Sequence, residues 1–262
     1  MFERLVAGIV TYGDWEGLGR TMFSLMGGVD EIIVIHCRFL GYPREIPESF
    51  TKTKQIVHSY HSGYLGFPLM RTHTEFYNFE YMREWQCRQK LLDLCDKHQA
   101  YNLLIIDSDE YAVPEPTWTK FRENLAEAKK EFPDDNVFGI NCSHQGGWQH
   151  FPRLWYKPWN MMYKFSHYRF CNRGELNHYY DDYESPIQKV IEGIKIIHDK
   201  DRPDRTPERI ADSKEYGKWL KAEEQSVSKN ILNRPMGRAY PDGCNEKDLD
   251  YFRKRYANNP SY

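Results

Sequence analysis

Short apolar runs alternate with amphipathic stretches along the first half of the chain. Residues 5–10 and 31–35 are apolar and rich in β-branched side chains, which is typical of strands buried on both faces. Between them a helix is predicted to begin after Asp14 as N-cap, and its apolar residues recur at helical spacing: Leu18, Met22 and Leu25. The pattern predicts a strand–helix–strand unit of a parallel sheet, whose first loop lies at the carboxyl end of the first strand.

The alternation continues after a polar interval. Residues 38–78 contain several prolines and glycines, so they predict a long connection that crosses one edge of the sheet. Helices are predicted over residues 79–98 and 117–131, with a short buried strand over residues 103–106 between them. The first half therefore predicts buried strands covered by helices.

Apolar runs in the second half are shorter and less regular. Strands are expected over residues 137–142, 163–170 and 193–198. A C-terminal helix is expected to begin with Thr206 as N-cap and Pro207 in the first helical position. The whole pattern predicts an α/β fold in which helices flank a mixed, mostly parallel sheet.

Length and charge narrow the class of protein. A chain of 262 residues accommodates one large α/β domain, predicted over residues 1–205, and a C-terminal helical extension over residues 206–262. The net charge of −2, from 36 basic and 38 acidic residues, gives no reason to expect binding to nucleic acid or to an anionic membrane. Apolar runs stay far below the roughly 20 residues of a membrane span, and the protein is predicted to be cytoplasmic.

The cysteines do not form a pattern typical of disulfides or of zinc motifs. The chain has six, and no two have the spacing CxxC. On a shared helix, Cys87 and Cys95 would lie about 12 Å apart, which exceeds the roughly 7 Å that a disulfide allows. Buried free thiols are therefore predicted.

An acidic segment follows the predicted strand at residues 103–106. It comprises Asp107, Ser108, Asp109 and Glu110. If the backbone stays extended, Asp107 and Asp109 point to the same face, where carboxylates can share Mg²⁺ or Mn²⁺ with substrate phosphates. The segment predicts a metal-bridged phosphate site; the alternative is a solvated turn.

The order of these features resembles the GT-A glycosyltransferases, in particular family-2-like members. The first strand leads into residues 11–14, where such enzymes hold the nucleotide base. Arg88 lies on the helix before the acidic strand, where the family commonly has an arginine, and residues 107–109 take the place of the DxD motif. His198, at the end of the last apolar strand, matches a histidine that some members use as a further metal ligand. The resemblance covers roughly residues 4–200 of this chain.

The resemblance implies a Rossmann-like GT-A domain that transfers a sugar from a UDP- or GDP-sugar to the hydroxyl of a carbohydrate or glycan acceptor. It implies a Mn²⁺ or Mg²⁺ ion, with Asp109 as direct ligand and His198 as further ligand, while Asp107 contacts the ribose or reaches the ion through water. The residues expected to bind the nucleotide sugar are Thr11, Tyr12, Asp14, Arg88, Asp107 and Ser108.

The acceptor side carries two sets of candidates. An inverting enzyme needs a general base, and the candidates are Asp181, Asp182 and Glu184; a solvated acidic loop is the alternative. Aromatic residues make up 15% of the chain, a chemistry that suits sugar-binding clefts as well as the core. Trp148 and Trp155 are the predicted acceptor-stacking residues.

Two other functions use the same residues. One is a nucleotidyltransferase or phosphohydrolase built on the same carboxylates, although residues 11–18 make a poor glycine-rich phosphate loop. The other is a non-catalytic carbohydrate-binding protein of the same fold. Metal-dependent nucleotide binding distinguishes the two enzymes from the binding protein, and transfer to an acceptor distinguishes the glycosyltransferase from the nucleotidyltransferase.

Overall fold

The computed structural model describes residues 2–61, 72–82, 84–98, 100, 102–133, 137–144, 147–156, 189–199 and 205–232. Their strands are β1 (Leu5–Thr11), β2 (Glu31–Phe39), β3 (His73–Met82), β4 (Asn102–Asp107), β5 (Glu110–Pro114), β6 (Val137–His144), β7 (Gly147–Tyr156) and β8 (Val190–His198). Their helices are α1 (Trp15–Leu25), α2 (Ser49–His61), α3 (Glu84–Lys97), α4 (Trp118–Glu131) and α5 (Pro207–Leu232).

The eight strands form one sheet in the order β3-β2-β1-β4-β7-β6-β8-β5. Strand β1 is parallel to β2 and β4, β2 is parallel to β3, and β6 is parallel to β8. Strand β7 runs antiparallel to both β4 and β6, and β5 runs antiparallel to β8. The predicted fold class, an α/β fold with a mixed, mostly parallel sheet flanked by helices, is confirmed.

Helices cover both faces of the central strands. One face of β1, with Leu5, Ala7 and Ile9, packs in the cluster that contains α1 and α4. The other face, with Val6 and Val10, packs in the cluster that contains α3. Every residue of β1 is buried, which explains its continuous apolar sequence.

Strand β8 packs closely on α4 through Gly193. This glycine has φ +113°, and a Cβ placed on it would lie 2.5 Å from the Cα of Phe121. A side chain there would meet the helix backbone, which cannot move aside as a flexible side chain does. Gly193 therefore sets the distance between β8 and α4.

The predicted long connection over residues 38–78 is wrong in the part that the structure describes. It contains α2 and most of β3, which pairs in parallel with β2. Strand β3 lies at the edge of the sheet, so it keeps half-exposed polar residues that hid its strand pattern. The helix predicted over residues 79–98 begins only at Glu84, because residues 79–82 complete β3.

Other predictions of elements are confirmed with different bounds. Strands β1, β2, β4, β6 and β8 and helices α1, α4 and α5 lie where the sequence predicted them. The backbone N–H of Arg209 donates to the Thr206 hydroxyl at 3.3 Å, as expected of an N-cap. Strands β5 and β7 were not predicted, and the strand expected over residues 163–170 lies outside the described residues.

Two further expectations concern the cysteines and the membrane. Cys37, Cys87, Cys95 and Cys142 are buried free thiols, as predicted, whereas Cys171 and Cys244 lie outside the described residues. Among the described helices, none has both the length and the apolar character needed to cross a membrane.

Candidate nucleotide-sugar site

The topology of the sheet creates a crevice between β1 and β4. Both strands are parallel, yet the chain leaves β1 toward β2 on one side and later returns to β4 on the other. Helices α1 and α3 accordingly pack on opposite faces of the sheet. In open α/β sheets, ligands bind at the carboxyl ends of strands where the strand order reverses in this way. Thr11 and Asp107 end the two strands at this crevice.

A turn follows Asp107 directly. The backbone N–H of Asp107 donates to the carboxylate of Glu110 at 2.8 Å, and Ser108 and Asp109 form the tip of the turn. The expectation that an extended backbone points Asp107 and Asp109 to one face is therefore wrong. Glu110 is buried and closes the turn, so the two aspartates meet different partners.

Asp107 contacts Arg88. The guanidinium of Arg88, which is only 3% exposed, donates to the carboxylate Oδ1 of Asp107. The Asp107 side chain is 14% exposed, so this ion pair is mostly withdrawn from water. A planar guanidinium in such a contact fixes the direction of the carboxylate. Two residues predicted to bind the nucleotide sugar are thus in direct contact.

Asp109 contacts His198. The Nε2 atom of His198 lies 3.0 Å from the Oδ2 atom of Asp109. Burial raises the pKa of Asp109, but the hydrogen bond and the charge of His198 outweigh burial, and the pKa lies below its ordinary value. Asp109 is therefore ionised at neutral pH, as a metal ligand must be.

Backbone contacts hold these two side chains in position. The backbone N–H of Asp199 donates to the Asp109 carbonyl at 3.0 Å, and that of His198 donates to the Ser143 hydroxyl at 2.9 Å. In the antiparallel ladder of β5 and β8, His198 is opposite Glu110. These hydrogen bonds and the strand pairing connect the acidic turn to the end of β8.

The loop after β1 reaches the same turn. The Ser108 hydroxyl donates to Oδ2 of Asp14 at 3.4 Å. Asp14 precedes α1 as predicted, but its side chain makes no capping hydrogen bond to the helix. The Oγ1 atom of Thr11 is buried and finds no hydrogen-bond partner among the described residues. Five other buried side-chain polar atoms of the described residues also lack a partner, so this feature alone does not distinguish Thr11.

Tyr12 lies in an aromatic cluster beneath α5. Its ring is 4.9 Å from that of Tyr42 in an edge-on arrangement, and its hydroxyl accepts the Ile46 backbone N–H at 2.8 Å. Tyr216 of α5 stacks on Phe39 at 5.7 Å and completes the cluster. Tyr12 is buried, so it forms a fixed wall beside the crevice rather than a mobile contact.

Two residues of α1 take part in the site although the sequence did not single them out. The Thr21 hydroxyl lies 3.0 Å from the Ser108 carbonyl and also contacts the Glu110 carbonyl. Arg20 pairs with Asp199, next to His198. Thr21 is a buried hydroxyl residue on the apolar face of its helix, which is the signal that would have pointed to it.

The predicted acceptor residues are described only in part. Asp181, Asp182 and Glu184 lie outside the described residues. The backbone of β7 is described, and its register sets Trp148 opposite Ser143 and Trp155 opposite Leu103. Trp148 is thus in register with a residue that hydrogen-bonds the end of β8.

A carboxylate and an imidazole suit a divalent ion such as Mn²⁺, so Asp109 and His198 fit the predicted metal. The carboxylate of Asp107 is turned toward Arg88. The ligand atoms of Asp107, Asp109 and His198 therefore do not all lie within 4.8 Å of one another. Within the described part of the chain, one group of three has its ligand atoms within 4.8 Å of one another: Glu31, Glu75 and His98. This group lies at the amino ends of the strands, whereas the acidic turn lies at their carboxyl ends.

Comparison with models of protein families gives no match, and comparison with curated proteins gives none either. Among solved structures, the chain is similar to 4-diphosphocytidyl-2C-methyl-D-erythritol synthase from Anaerococcus prevotii. The two share 12% sequence identity with a TM-score of 0.42, over 85% of this chain and 96% of that one. A similarity of this degree carries no conclusion about function.

Proposed function

We propose that this protein is a glycosyltransferase that moves a sugar from a nucleotide-diphosphate sugar to an acceptor hydroxyl. The observation that carries the proposal is the meeting of Asp109 and His198, 3.0 Å apart, at the crevice between β1 and β4. Residues far apart in sequence, which the resemblance to GT-A glycosyltransferases assigns to one donor site, lie on elements that converge at this edge of the sheet.

The nucleoside would bind beside the loop after β1. Thr11 offers a buried hydroxyl, and Asp14 offers a carboxylate to a ribose hydroxyl in company with Ser108. Tyr12, which is itself buried against Tyr42, would hold this loop in position. The polar groups suit a ribose ring, because their hydrogen bonds fix its orientation.

The diphosphate would bind at the acidic turn. Asp109 and His198 would hold Mn²⁺ or Mg²⁺, which offsets the negative charge that develops on the departing diphosphate. Arg88 keeps Asp107 in one orientation, so that carboxylate is set for the ribose or for a water on the ion. Asp109 is already ionised before the donor binds, because its pKa lies below the ordinary value.

The acceptor would approach from the side of the sheet that carries β6 and β7. Trp148 and Trp155 are the proposed stacking residues, and Asp181, Asp182 and Glu184 are the proposed general bases. A base has to stand within hydrogen-bond reach of the acceptor hydroxyl in order to take its proton as the new glycosidic bond forms.

Calorimetric titration of UDP and of GDP tests the donor site. The wild-type protein, Asp109→Ala and the control Glu127→Ala, an exposed carboxylate on α4, would each be titrated with Mn²⁺ and with chelator. We expect binding of one nucleotide that requires the metal, falls at least about 10-fold in Asp109→Ala, and stays unchanged in the control. The absence of binding to either nucleotide would contradict the proposal.

A product assay distinguishes glycosyl transfer from nucleotidyl transfer. The protein would be given the sugar forms of whichever nucleotide binds, together with a panel of glycan acceptors, and separately a sugar 1-phosphate with the nucleoside triphosphate. Release of the nucleoside diphosphate with a glycosylated acceptor supports the proposal. Release of pyrophosphate from the second mixture would assign the same carboxylates to a nucleotidyltransferase instead.

A further inference from the structure

A second group of metal-ligand side chains lies at the amino ends of the strands. Glu31 begins β2, Glu75 lies near the start of β3, and His98 follows α3. One ligand atom from each lies within 4.8 Å of the other two. Strand β4 spans five residue steps of about 3.3 Å between this edge and Asp107, so the group is about 16 Å from the acidic turn.

Hydrogen bonding determines which nitrogen of His98 is available. Tyr77 donates its single hydroxyl proton to Glu75 at 2.7 Å, and His98 Nε2 lies 2.8 Å from that hydroxyl oxygen. The Nε2 atom must therefore carry a proton in order to donate to Tyr77. In a neutral imidazole, this leaves Nδ1 with a lone pair, 2.9 Å from the carboxylate Oε1 of Glu31. A positive charge between these two atoms removes the repulsion of their lone pairs, and either a second proton on His98 or a metal ion can supply it.

The charged groups around Glu31 and Glu75 do not fully balance the two carboxylates. Glu31 is fully buried and shares only its other oxygen with Arg4, at 2.6 Å. Glu75 is one-third exposed, and its second oxygen lies 3.1 Å from Nε2 of His73. Lys97 places its ammonium 5.8 Å from the Tyr77 ring centre and makes no ion pair with Glu31 or Glu75 within the described residues.

We propose that Glu31, Glu75 and His98 form a zinc site that is separate from the nucleotide-sugar site. Carboxylate oxygen and imidazole nitrogen are both zinc ligands, zinc is usually four-coordinate, and water would take the fourth position; the imidazole in the set favours zinc over Ca²⁺. The ring N–H of His98 that donates to Tyr77 matches the way in which zinc-binding histidines are held from behind.

The proposed site links three elements of the fold. It joins the first residue of β2, the amino-terminal part of β3 and the chain just before β4, although Glu31 and His98 are 67 residues apart. Zinc that binds only the folded chain raises its stability by mass action. The proposal does not depend on the glycosyltransferase proposal, because no residue is shared between the two sites.

Zinc titration of the full-length, chelator-treated protein tests the site. Binding would be followed by calorimetry and, with Co²⁺ in place of zinc, by the visible absorption of tetrahedral cobalt. We expect one equivalent of zinc and a higher unfolding temperature. Affinity should fall by about 100-fold or more in His98→Ala and Glu75→Gln, and by about 10-fold in Tyr77→Phe, since loss of a group behind a ligand typically costs 10–100-fold.

Two controls accompany these variants. His58→Ala removes an exposed histidine of α2 and should leave zinc binding unchanged. Asp109→Ala removes a proposed ligand of the other metal site, so it should keep the equivalent of zinc that Glu75→Gln loses. Glu75→Gln keeps the shape of the side chain, so it tests the site even where His98→Ala does not fold. The proposal is overturned if the wild type binds no zinc, or if Glu75→Gln binds it as tightly as the wild type does.

Discussion

The Nε2 atom of His198 lies 3.0 Å from the carboxylate of Asp109, although 89 residues separate them in the chain. The contact forms because β5, which follows the acidic turn, pairs antiparallel with β8. The consequence is that a carboxylate and an imidazole meet at the carboxyl edge of the central strands, where the strand order reverses.

The first prediction concerns His198. We expect His198→Ala to weaken Mn²⁺-dependent nucleotide binding by about 10-fold, since it removes one proposed ligand and one hydrogen bond to Asp109. Calorimetry with the nucleotide at several Mn²⁺ concentrations measures the change. The control is His58→Ala on α2. Equal binding by His198→Ala and the wild type would show that His198 is structural.

The second prediction concerns the pair of Arg88 and Asp107. Replacing Arg88 with Met leaves a mostly buried carboxylate without this guanidinium, and we expect unfolding free energy to fall by about 3 kcal/mol. Asp107→Asn in the Arg88→Met background should recover part of that loss. Urea unfolding of the two single variants and the double variant gives the coupling energy. Additive effects would mean that the ion pair contributes little.

The third prediction concerns Gly193. Gly193→Ala should lower the free energy of unfolding by about 2–3 kcal/mol, because alanine is strained at φ +113° and its Cβ meets the backbone of Phe121. Gly217→Ala is the matched control. Its Cβ meets nothing within 4 Å in the described part of the chain, and alanine favours the helix by about 0.5–1 kcal/mol. Urea unfolding should give opposite signs for the two variants.

The fourth prediction concerns pH. Burial lowers the pKa of His36 below its ordinary value, and the hydrogen bond with Asn78 offsets this only in part. The folded protein therefore resists protonation of His36, whereas the unfolded chain takes up a proton below about pH 6.5. Stability from this residue is present above that pH and is lost as the pH falls toward the folded pKa.

Replacement of His36 separates its contribution to the pH dependence of stability from the contribution of the carboxylates. The ring bonds Asn78 at 2.7 Å and Ser49 at 2.9 Å, and Tyr12, Phe50 and Phe76 surround it. We expect His36→Gln to be less stable than the wild type at pH 7.5 and to lose less of its stability between pH 7.5 and pH 5. Parallel stability–pH curves for the two proteins would contradict the assignment.

Burial explains which elements could be predicted from sequence. Strands β1, β2 and β4 are covered on both faces, so their apolar runs are nearly continuous and easily recognised. Strand β3 lies at the sheet edge, where most of its residues are at least partly exposed, and its polar sequence resembles that of a loop. Local sequence alone did not contain the information that β2 would pair with it.

The candidate site shows the same division. The acidic residues, Arg88 and His198 were singled out from their positions along the chain. The turn that separates Asp107 from Asp109 depends on where the Glu110 carboxylate points, and the sequence does not reveal this direction. The hydroxyl of Thr21, which holds the turn from α1, likewise becomes visible only when the helix is packed on the sheet.

The register between β5 and β8 determines which residues of the two strands lie opposite each other. Glu110 is opposite His198, and each later residue of β5 meets an earlier residue of β8. Successive side chains of a strand point to opposite faces, so a shift of the ladder by one residue would turn His198 away from Asp109. A one-residue insertion or deletion within β8 would therefore uncouple the histidine from the acidic turn.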